Sequence, residues 1–114
     1  MSSQTGLPQL VYWHRDLPPL SEQLEGEHEV TAISDRVQFS YANQNTLWKQ
    51  CHEQLMAHGE DRIRQEVQRL GGSCARVLTE EVTSQRNDAT QEFWLAGRFR
   101  FVMFVHPGEP QAAA

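Results

Sequence analysis

The strongest pattern in the chain is a strict alternation near its C-terminal end. From Glu92 to Val105, one set of alternate positions carries Phe93, Leu95, Phe99, Phe101, Met103 and Val105, interrupted only by Gly97. Side chains on a strand point alternately to its two faces, so this set reads as the core face of a long β-strand. The other set carries Trp94, Ala96, Arg98, Arg100, Val102 and Phe104, apolar at both ends and cationic in the middle. Gly97 marks either a bulge or a point where another group approaches the backbone closely.

A helical pattern occupies residues 43–70. Leu47, Cys51, Leu55, Ile63 and Val67 recur at multiples of four, with Trp48, Met56 and Leu70 beside them. Asn43, Asn45 and Thr46 offer N-cap side chains, and Gly71-Gly72 offers the stop. A helix turns once in 3.6 residues, so a four-residue repeat drifts around the cylinder. The apolar stripe changes azimuth near His58 and Gly59, which predicts a bend or break of the helix at Gly59.

The rest of the chain fits around these two elements. Residues 73–83 alternate Ala75, Val77 and Thr79 against Cys74, Arg76 and Leu78, a second strand. The polar stretch SQRNDATQ then forms the loop of an antiparallel hairpin with the last strand. Residues 27–37, with Val30, Thr31 and Ile33, predict an earlier strand. Residues 10–13 (LVYW) form a short extended arm, ended by Asp16-Leu17-Pro18-Pro19, and residues 19–24 predict one helical turn before Gly26. The expected fold is a two-layer α+β sandwich: a β-α-β-β core with one long helix packed on an antiparallel sheet, preceded by the arm. Residues 1–8 and 107–114 read as tails, leaving 9–106 as one domain.

Composition narrows the range of partners. A chain of 114 residues buries a core without disulfides or a structural metal. Its net charge of -5 and pI near 5.4 lack the basic stripe that nucleic-acid binding requires, and argue against an anionic membrane surface. No apolar run reaches bilayer length. The opening MSSQTGLPQL has no basic region followed by an apolar stretch, so the expectation is a cytoplasmic protein. There the default for Cys51 and Cys74 is a pair of buried, reduced thiols.

Three segments carry a resemblance. YWHRDLPPL, EVQRLGG and QEFWLAGRFRFVMF are similar to a group of short bacterial proteins of uncharacterised function. The likeness spans nearly the whole chain, but that group brings no assigned activity. More distantly, the β-α-β-β order and the GGSCARV step from helix to strand resemble the dodecin-like and putative heavy-metal-binding small domains. That resemblance implies architecture; no ligand residue carries over, and the flavin-stacking aromatic of the dodecin group has no counterpart.

Candidate chemistry is sparse. Cys51, His52, His58 and Cys74 are ligand types that suit zinc, but no CxxC, HxxxH or HExxH spacing joins them. Core thiols with a histidine at the core margin is the favoured reading, so no metal or other cofactor is expected. Glu80 and Glu81 are adjacent on a strand and point to opposite faces, so they cannot share a proton. No nucleophile motif is present, and the chain leans away from an enzyme. Trp94, Arg98, Arg100 and Phe104 form the candidate ligand face, since arginine forks beside aromatics suit anionic or planar ligands. The competing reading is cross-strand ion pairing with Glu80 or Glu81. Trp94, Val102 and Phe104 are too apolar to stay wet, so the arm or a second chain should cover them. The functional expectation is a binding or self-assembly module, such as a homodimer, with a small-ligand or metal-binding protein as the alternative. A thiol titration of denatured, unreduced protein should read two groups per chain; a reading of none would show a disulfide.

Overall fold

The computed structural model describes residues 10–105, so both predicted tails lie outside it. One helix, α1 (Gln44–Leu70), packs on a mixed six-stranded sheet, as expected of an α+β sandwich. The strands are β1 (Val11–Tyr12), β2 (Glu22–Gln23), β3 (His28–Ile33), β4 (Val37–Gln38), β5 (Cys74–Asn87) and β6 (Glu92–Val105). β6 spans the residues its alternation predicts and is the centre of the sheet. β5 runs antiparallel along its whole length on one side. The other side is shared in succession by β2, β3 and β4. The arm adds β1 in parallel beside β5, pairing Val11 with Ala75 and Tyr12 with Arg76.

The segmented edge needs a patch where β3 gives way to β4. Ser34 provides it: its N–H donates to the Leu95 carbonyl at 2.9 Å, and its Oγ accepts the Leu95 N–H at 2.9 Å. A serine only 2% exposed is tolerated there because its N–H and its hydroxyl are both bonded. The predicted helical turn at residues 19–24 is instead the short strand β2. The backbone of Leu24 donates to the Met103 carbonyl at 2.8 Å, so the far end of β6 draws this segment into the sheet.

The helix neither breaks nor stops at Gly59, which corrects the predicted interruption. Leu47, Cys51, Leu55, Gly59, Ile63 and Val67 are all buried, one continuous i, i+4 row. Such a row advances about 40° per step around the helix. The helix meets β3, β6, β5 and β1, and the twist of that sheet follows the drifting row. Gly59 is there for close approach. A Cβ at that position would lie 2.6 Å from Cε2 of Phe99, whose ring is fully buried. The Asn43 side chain makes no cap bond; it accepts from the Ser40 N–H and donates to the Gln38 carbonyl, closing the turn before the helix. At the other end Gly71 takes φ 82°, the left-handed stop.

The hairpin also differs from its expected form. Residues 84–87 continue β5, paired as far as Asn87 with Glu92, so the loop shrinks to residues 88–91. The Asn87 side chain accepts from the Ala89 and Thr90 N–H groups, and Gln91 turns the chain at φ 56°. Gly97 is no bulge. A Cβ there would sit 3.0 Å from the Phe99 ring and 3.1 Å from Leu55, again a close approach. The bulge falls on β5, between Val77 and Thr79.

Replacing Gly59 with alanine tests the helix contact. On an open helix that change gains up to about 1 kcal/mol, whereas overpacking a core costs about 1–3 kcal/mol. Denaturant unfolding should show a net loss, and the loss should shrink when Phe99 is trimmed to leucine in the same chain. A stabilised Gly59→Ala variant would mean the ring is not held there.

Candidate functional site

The sheet has a helix face and a far face, and the bulge decides which side chains reach each. Before it, Ala75 and Val77 face the helix and Cys74 and Arg76 face away, matched by their partners Met103, Phe101, Phe104 and Val102. Leu78 is the extra residue. After it the parity of β5 is reversed: Glu80, Val82, Ser84 and Arg86 lie on the helix face, while Thr79, Glu81, Thr83 and Gln85 lie on the far face.

On the far face the predicted ligand residues separate into three groups. At one end Val102 and Phe104 are buried with Cys74, packed by Tyr12 and Leu78. The arm therefore contributes one side chain to this cover; Val11 and Trp13 go to the main core, Trp13 edge-on to Phe99 with ring centres 6.0 Å apart. In the middle, Arg98 is 3.7 Å from Glu29 and 3.8 Å from Glu81, and Arg100 is 3.8 Å from Glu27. These are exposed cross-strand pairs, worth ~0–1 kcal/mol each. At the other end Trp94 is half-buried beneath the Arg36 guanidinium, 4.2 Å from the ring centre. Trp94 and Phe104 are ten residues apart along one strand, about 33 Å. Trp94, Arg98, Arg100 and Phe104 thus share a face without converging on one pocket.

The metal candidates do not converge either. Cys51 is in the main core and Cys74 in the far-face cluster, on opposite sides of the sheet. His52 stacks on Trp48 with ring centres 4.5 Å apart, and His58 Nδ1 lies 2.7 Å from the Ile33 carbonyl. Among the described residues no group of three or more His, Cys, Asp or Glu is placed to hold a metal.

A groove not foreseen from the sequence lies on the helix face. The helix has a row on either side of its buried one. Gln54 and His58 bond the backbone of Asp35 and Ile33, so that row faces β3 and the segment following it. Trp48, His52 and Met56 form the opposite row, toward the outer half of β5. Where the helix begins, an open groove of about 810 Å³ is lined by Phe39, Tyr41, Leu47, Trp48, Ser84, Arg86 and Phe93. Tyr41 is 97% and Trp48 52% exposed. Arg86 crosses the Phe39 ring at 5.6 Å and pairs with Asp88 at 2.8 Å.

The groove borders an open sheet edge. β1 covers β5 only at Ala75 and Arg76, and among the described residues no strand pairs with the outer side of residues 79–87. At the inner end of this edge Glu80 Oε1 is buried and has no hydrogen-bond partner among the described residues. His14 Nε2 is 3.2 Å from it, close enough for an ion pair but not aligned for a hydrogen bond. The outer residues are polar or β-branched and mostly exposed, so the edge is wet but fully formed.

No family model, curated protein or solved structure matches this chain. Among the described residues no helix is long and apolar enough to cross a membrane.

The far face gives a direct comparison. Phe104→Ala should cost about 3–5 kcal/mol in unfolding free energy, and Arg98→Ala or Arg100→Ala less than about 1 kcal/mol. A large loss from either arginine would show that its pairs are part of a tighter network.

Proposed function

We propose that this protein is a protein-binding, self-assembling module that docks a strand on the open edge of β5, with the adjoining aromatic groove taking up side chains. One observation carries the reading: among the described residues, no strand pairs with the outer side of residues 79–87, an edge about nine residues long, and this edge runs beside an open groove. An added strand would satisfy the outward N–H and C=O groups of that edge, and the groove would supply the apolar part of the interface. Covering Tyr41 and Trp48 more fully would contribute about 1.5–3 kcal/mol for each large side chain fully buried.

Docking fits better here than catalysis. The polar groups lining the groove, Ser40, Gln44, Ser84, Arg86 and Gln91, contain no acid–base pair. A small-ligand reading centred on Arg98 and Arg100 draws less support, because each guanidinium already has a carboxylate beside it.

Native mass spectrometry and amide hydrogen exchange on the full chain test the reading together. Species at twice 13.1 kDa or a higher multiple are expected, with slow exchange at the amides of residues 81–87 that point away from β6. A 13.1 kDa monomer across the micromolar range, with those amides exchanging at open-chain rates, would overturn it.

A further inference from the structure

The partner that fits this edge can be identified from the order of charges along it. Resting on the docking reading above, we propose that the added strand is β5 of a second copy, antiparallel about a twofold axis at Thr83. A twofold relation between neighbouring antiparallel strands runs perpendicular to the sheet, so each face continues into the same face of the partner. Residues that pair must then have numbers of the same parity, and the register is set by whichever residue opposes itself.

With Thr83 on the axis, Val82 opposes Ser84, Glu81 opposes Gln85, and Glu80 opposes Arg86 of the partner subunit. The last pair occurs twice by symmetry, on the helix face. Opposite charges directly across a strand pair stabilise it and like charges oppose it. No neighbouring register does as well. Centred on Glu81, that carboxylate faces its own copy. Centred on Val82 or Gln85, no opposite charges meet. Centred on Ser84, Glu80 faces Asp88.

The two partners in this pair are suited to the exchange. Glu80 is on the strand that forms the edge, and its buried Oε1 has no hydrogen bond among the described residues, only the His14 Nε2 atom 3.2 Å away. Among the described residues Arg86 is held by an exposed pair with Asp88 and by the Phe39 ring, so its guanidinium is easily redirected. The bulge at Leu78 is what places both groups on one face; without it Glu80 would lie on the far side. The joint sheet also brings both exposed Trp48 side chains to the same side, flanking the axis.

Charge reversal in two chains tests the register. Glu80→Arg and Arg86→Glu should each raise the dimer dissociation constant by roughly tenfold or more, as read by sedimentation. Mixing the two variants should restore association as a heterodimer. One chain then carries arginine at both positions 80 and 86 and the other carries glutamate at both, so opposite charges meet at each crossing. Circular dichroism verifies that each variant is folded. An independent readout avoids charge altogether. Thr83→Cys should cross-link to its own copy under mild oxidation, whereas Gln85→Cys should not, since four residues of offset place those thiols about 13 Å apart. A dimeric wild type whose mixed variants stay monomeric, or in which Gln85→Cys cross-links and Thr83→Cys does not, overturns this register but leaves strand docking intact. A wild type that is monomeric with an unprotected edge overturns both.

Discussion

The contact on which this structure depends is the ring of Phe99 held between two glycines. Gly97 lies two residues before it on the same strand, and Gly59 lies above it on the helix; either position with a Cβ would come to 3.0 Å or closer. Removing two methyl groups lets a large aromatic occupy the helix–sheet gap without pushing the layers apart. Leu55, Ile63 and Trp13 close the core around it. Because the helix is fixed at Gly59, its early turns lie over β3 and β6. The outer half of β5 is left uncovered, and the groove beside Trp48 follows from that placement.

A second constraint is the long central strand. β6 has fourteen residues, and only β5 matches its length. The opposite side is assembled from three short strands, so the ladder must be repaired at each gap. Ser34 does this for Leu95, and the Leu24 N–H does it for Met103. The bulge at Leu78 answers a related demand. It turns Leu78 onto the far face beside Cys74, Val102 and Phe104, completing a small second core. It also sends Glu80 and Val82 toward the helix. One extra residue therefore both closes an apolar cluster and decides the charge pattern of the free edge.

The sequence by itself determined the parts that local periodicity encodes. The bounds of β6 follow from six apolar residues at alternate positions, the helix from its four-residue row and its glycine stop, and the α+β class from their order. It also marked Gly59 and Gly97 as unusual. The purpose of those glycines was not legible, because it depends on a ring that reaches them only when the two layers meet. A glycine in a drifting stripe looks the same whether it relieves a bend or admits Phe99.

Tertiary structure decided the rest. A one-residue bulge is invisible in an alternation that continues on both sides of it, yet it moves every later residue of β5 to the other face. Sequence reading therefore left both Glu80 and Glu81 as partners for the arginines; in the structure Glu81 lies beside Arg98, together with Glu29, and Glu80 is on the other face. The predicted ligand residues shared a face in the sequence and share it in the fold, but a strand is extended, so sharing a face does not bring its two ends together. The groove and the open edge combine Phe39, Trp48, Ser84 and Phe93 from four separate segments, with no spacing that links them along the chain. Their proximity is set only by where the helix comes to rest on the sheet.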